Sequence, residues 1–84
     1  MTCELCGYGG ELALHHVFFG TANRKLSDKW GMTAWLCPNC HQNGQKAVHK
    51  CRETDLILKR RYQAKFEREH PDESFIGIFG RNYL

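Results

Sequence analysis

Apolar residues fall into a few short clusters along the chain, each ended by glycine or proline. The first runs from Glu11 to Phe19, ELALHHVFF, is rich in Leu, Val and Phe, and stops at Gly20, which predicts a strand. Thr21 to Trp30 is polar and predicts a loop carrying a short helix, closed by Gly31 as a left-handed cap. Thr33 to Leu36, TAWL, predicts a second short strand, and HQNGQKAVH (His41 to His49) a connector with an Asn-Gly turn. From Lys50 to His70 the spacing changes. Leu58, Tyr62 and Phe66 recur at i, i+4, with Cys51 and Asp55 extending the row backwards, as one face of a long helix. Lys59, Arg60, Arg61, Lys65 and Arg68 then fall on the rest of its surface. Pro71 ends this helix and is placed to open another, Ser74 to Phe79, stopped by Gly80.

Two neighbours in the first strand break its apolar character. His15 and His16 are adjacent, and adjacent strand residues point to opposite faces. One imidazole is therefore expected inside and the other outside.

With 84 residues the chain is expected to form one domain, residues 1–84, with a strand-and-knuckle part (1–49) and a helical part (50–84). A domain this small buries only about 60% of its unfolded surface, so cross-links or metal commonly supplement the core. The cysteines supply a choice. Of five, four form identical C-x-x-C pairs, Cys3-Glu-Leu-Cys6 and Cys37-Pro-Asn-Cys40, the spacing of a tetrahedral zinc site. A disulfide framework is disfavoured because Met1 leads directly into the first pair and Cys51 would be left over. A thioredoxin-like role is disfavoured because neither pair opens a βαβ unit. The expectation is structural zinc in a reducing, cytoplasmic location. The net charge of +3 permits a nucleic-acid partner without demanding one. No apolar run approaches transmembrane length.

Zinc would hold residues 3–6 against 37–40, bringing the first strand beside His41, which follows Cys40 directly. His15, His16 and His41 are thus expected as neighbours, with His49 returning across the turn. Such a cluster suggests a second metal site, with one strand histidine as ligand and the other free to act as a base near pH 7.

The order C-x-x-C, then HH on a strand, then C-x-x-C-H resembles HNH endonucleases of the zinc-containing ββα-metal type. The stretch HHVFFGTANRKLSDKWG and the trailing GRNYL resemble small phage-encoded members of that group. The resemblance implies a small α+β zinc-stabilised domain, a treble-clef-like ββα-metal hairpin plus helix with a C-terminal helical extension. It implies His15 and His41 as ligands of a catalytic divalent metal (Mg²⁺, Mn²⁺, Ni²⁺ or Zn²⁺), with His49 as an added ligand, and His16 as the general base. The asparagine that orients this base in the family stands about five residues before the second knuckle. Met32 occupies that place here, and Asn23 is the nearest substitute. The implied reaction is phosphodiester hydrolysis in DNA leaving a 5′ phosphate and a 3′ hydroxyl. Arg24, Lys25 and Lys46 would hold the phosphate backbone. The implied setting is the cytoplasm of a phage's host, with packaging or recombination proteins as partners. Two other readings remain open: a non-catalytic zinc module binding nucleic acid or protein, and a second structural zinc held by the histidines.

Overall fold

A computed structural model describes all residues, Met1 to Leu84. Its elements are strand β1 (Ala13–His16), helix α1 (Thr21–Trp30), strand β2 (Thr33–Leu36), one π-helical turn (Asn39–Asn43), helix α2 (Arg52–Glu69) and helix α3 (Phe75–Phe79). The fold is α+β, a two-stranded antiparallel sheet packed with helices, and no helix is long and apolar enough to cross a membrane.

The first strand is shorter than its apolar run. Residues 13–16 pair with Leu36, Trp35, Ala34 and Thr33 in turn, and the ladder extends by one bond, from the Val17 N–H to the Met32 carbonyl (3.0 Å). Val17 and Phe18 are then both fully buried, which strand alternation does not allow. A side chain takes over the backbone pairing. The Phe18 N–H donates to Ser27 Oγ (3.1 Å), and the Ser27 hydroxyl donates to the Phe18 carbonyl (2.7 Å).

Residues 21–30 form a full ten-residue helix where a loop with a short helix was expected. Ala22, Arg24, Lys25, Leu26 and Lys29 are good helix formers, and the clamp through Ser27 seats the helix on the end of β1. Gly31 closes it at φ 72°, as its position predicts. Ser27 is fully buried, so Ser27→Ala strands both polar groups of Phe18. We expect a loss of about 2–3 kcal/mol, read as a lower urea midpoint at unchanged m-value.

The long helix forms over 52–69, and Leu58, Tyr62 and Phe66 are buried as the spacing predicts, while Asp55 is partly buried and Cys51 falls just before the helix. Phe66 packs edge-on to Phe75 and Phe79, while Phe75 and Phe79 stack on each other. Pro71 does not open the last helix. That helix begins at Phe75, where Ser74 Oγ accepts from the Gly77 N–H (3.0 Å). His70 follows α2 and packs its ring on Trp30 and Phe66.

Trp30 is half-buried against Phe66, and Trp35, 39% exposed, faces Leu14 across the strand pair. One expectation needs correction. Lys59 is not part of a solvated basic patch. It is buried, with Nζ 2.6 Å from Asp55 Oδ2 and over the Phe19 ring. Arg60 donates to the Tyr83 carbonyl, and Arg61 reaches the Glu4 carboxylate (3.6 Å). Arg61 and Tyr62, whose hydroxyl shares Glu4 and the Thr33 carbonyl, tie α2 to the first cysteine pair.

Candidate metal centres and the histidine cleft

Cys3 and Cys6 lie on a tight turn in which the Gly7 N–H donates to the Cys3 carbonyl (2.8 Å). Cys37 and Cys40 lie where β2 runs into the π-helical turn, with the Cys40 N–H donating to Cys37 Sγ (3.4 Å). The Glu4 N–H donates to the Trp35 carbonyl (3.0 Å), docking one turn on the other. The four sulfurs then lie within 4.8 Å of one another. Cys6 and Cys37 Sγ are 3.6 Å apart, close to the edge of about 3.8 Å that a tetrahedron with 2.3 Å zinc–sulfur bonds requires. No cysteine is disulfide-bonded. The donor set fits a structural metal such as zinc.

The charges in this cluster respond to one another. Burial raises the Cys3 thiol, but the backbone N–H groups of Cys37, Cys6 and Leu5 outweigh it and bring Cys3 to about 6. Burial and the neighbouring Cys6 and Cys37 thiols push Cys40 up. One thiolate forms easily and the last with difficulty, an imbalance that a bound dication offsets. Cys51 stands apart, at the N-terminal boundary of α2, its thiol lowered by the Thr54 hydroxyl and backbone N–H.

The alternation of β1 separates the paired histidines. His15 is 2% exposed and faces His41 and His49, with ring centroids 5.2 and 5.1 Å away. One ring nitrogen from each of the three lies within 4.8 Å of the others. His41 Nε2 and His49 Nε2 are 3.1 Å apart, close to the edge of about 3.3 Å for a tetrahedral site with 2.0–2.1 Å metal–nitrogen bonds. The connector achieves this by the π-helical turn, which places His41, and by the Val48 N–H to Cys40 carbonyl bond (2.8 Å), which brings His49 back. His15 Nε2 is buried with no hydrogen-bond partner, an arrangement that costs free energy unless a cation completes it. The three imidazoles fit a divalent ion.

Burial, with His49 and His41 next, pulls His15 down to about 3, and burial with His49 lowers His41. Both rings are therefore neutral and able to donate lone pairs at pH 7. A depressed histidine binds fewer protons folded than unfolded, where its value is about 6.5. Protein metal-free at this cluster should lose stability as pH falls from about 6.5 towards 3, by up to about 1.4 kcal/mol per pH unit. Urea midpoints at a series of pH values check this, with His15→Gln expected to flatten the dependence.

His16 lies outside the three-histidine group. Its side chain is 16% exposed, and Nε2 is 2.7 Å from Oδ1 of Asp28 on α1. His16, His15, His41, His49 and Arg24 line one open cleft of about 330 Å³, with Leu14, Phe19 and Gln42. Lys25 and Arg24 line an adjoining hollow with Asp28. Lys46 is exposed in the turn before Ala47 and lines neither cavity. Asn23 is also elsewhere: its amide donates to the Phe79 carbonyl (3.4 Å), linking α1 to α3. Met32, at the position that the HNH resemblance gives to an asparagine, is a core residue. Asp28, which no motif marked, is the side chain that touches His16. A carboxylate one helical turn after Arg24 was the only sequence signal for it.

Compared with protein-family models, with curated proteins and with solved structures, the chain matches none. What its fold and sites define is a small α+β domain with a four-cysteine cluster suited to a structural metal such as zinc. Beside that cluster stands a three-histidine group opening on a cleft.

Proposed function

We propose that this chain is a metal-dependent DNA endonuclease of the HNH, ββα-metal kind, acting in a reducing cytoplasm such as that of a phage's host. One observation carries the reading. Three converging imidazoles and a fourth, separately held imidazole line the same open cleft, which also presents an arginine. A purely structural metal site has no use for the fourth.

The division of labour follows from the geometry. His15, His41 and His49 would hold a divalent ion, which when bound supplies Lewis-acid stabilisation of the phosphate's developing charge. His16, free of that group, takes a proton from the attacking water. Arg24 in the cleft and Lys25 beside it hold the DNA backbone by charge. Three nitrogen donors without a carboxylate suit zinc or nickel better than manganese or magnesium.

Supercoiled plasmid incubated with the zinc-loaded protein and Mn²⁺, Ni²⁺ or Mg²⁺ tests the proposal. Nicking that needs the added ion and is lost in His16→Ala is expected, with 5′-phosphate ends. Absence of nicking, with two tightly held zinc ions per chain, would replace it by a non-catalytic zinc module.

A further inference from the structure

The contact between His16 and Asp28 carries more than a surface ion pair usually does. Asp28 Oδ1 lies 2.7 Å from Nε2, and the carboxylate meets no other cation, although Lys25 and Lys29 are near it in sequence. The acid is placed by the architecture rather than by a flexible side chain alone. Ser27 holds both polar groups of Phe18, two residues beyond His16 in the chain, so residue 28 is set beside the end of β1. An ionised carboxylate only accepts hydrogen bonds. In neutral His16 the ring proton must then sit on Nε2, and the lone pair on Nδ1. The ring makes no other hydrogen bond within the protein.

We propose that Asp28 is the positioning residue of His16: it fixes the imidazole with the proton on Nε2, and so makes Nδ1 the atom that receives the water proton. This deepens the nuclease reading and rests on it. In the step, the water oxygen forms a bond to phosphorus as one of its protons passes to Nδ1. The bond from phosphorus to the 3′ oxygen breaks, and that oxygen leaves as hydroxyl after taking a proton from solvent. Asp28 touches neither water nor phosphate. It stabilises the imidazolium that forms and holds the ring plane, the task assigned by resemblance to Asn23, whose amide is engaged with Phe79.

The test has a spectroscopic and a kinetic arm on zinc-loaded protein. With ¹⁵N-labelled histidine, wild type should show a downfield His16 ring proton on Nε2, slow to exchange. Asp28→Ala should lose that signal and Asp28→Glu should retain it. Asp28 is 62% exposed on its side chain, so neither variant should disturb folding. In plasmid nicking, Asp28→Ala should lower kcat by about tenfold or more while KM for DNA stays within about twofold, with Glu restoring much of the rate. A His16 ring proton found on Nδ1, or a kcat for Asp28→Ala equal to wild type while His16→Ala is inactive, overturns the inference and leaves the nuclease intact. If His16→Ala nicks as well as wild type, the nuclease reading itself fails and this role falls with it.

Discussion

Cys37→Ser will leave the chain unfolded at 25 °C. Cys37 is buried, its sulfur receives the Cys40 N–H, and it lies 3.6 Å from Cys6 Sγ. It is therefore the sulfur through which the two turns meet. A structural zinc ion contributes about 10–16 kcal/mol of apparent binding free energy, and a domain's net stability is about 5–15 kcal/mol. Losing a ligand removes enough of the first to exhaust the second in a chain this small. Far-UV circular dichroism and amide spectra check the outcome, and a chelator strong enough to strip zinc should reproduce it. Cys51→Ser, outside the cluster, should fold normally. A Cys37→Ser protein with a dispersed spectrum and a wild-type melting temperature would show that the cysteines hold nothing essential.

The second large effect is on rate. On the proposed nuclease reading, His16→Ala should reduce metal-dependent nicking by about 10²–10⁴-fold, the usual contribution of a general base. Its metal content should not change, because His16 is not one of the three converging imidazoles. His41→Ala should also abolish nicking but by another route, with loss of one metal equivalent per chain and retention of the other. Metal analysis beside the kinetics separates the two. Equal metal loss in both variants would mean that His16 is a ligand and not a base. His15 is buried, but His41 is partly open and His49 exposed, so the cluster faces the cleft on one side.

Much of this arrangement was legible in the residues because short-range rules govern it. Two C-x-x-C pairs can converge only by bringing residues 3–6 to 37–40, which carries His41 towards the HH strand. The i, i+4 row of Leu58, Tyr62 and Phe66 buries as spacing dictates, and Gly31 and Gly80 stop their helices in the left-handed region. These features depend on backbone geometry within one or two turns.

What tertiary structure decided is where local rules compete. The run from Glu11 to Phe19 reads as one strand, yet pairing stops after Val17 because Ser27 offers Phe18 a better backbone partner from another element. Lys59 reads as solvated charge, but Asp55 one turn earlier and the Phe19 ring make its burial tolerable. Asn23 and Asp28 lie on the same helix, five residues apart, and composition cannot rank them as partners for His16. Their angular positions on α1, set by the Ser27 clamp, send Asn23 to the Phe79 carbonyl and Asp28 to the imidazole. Sequence by itself determined the spacing of the two cysteine pairs, the long helix and the separation of His15 from His16. Only the packing of α1 against the end of β1 decided which side chain meets His16, because that contact depends on the rotation of a whole helix and not on any local motif.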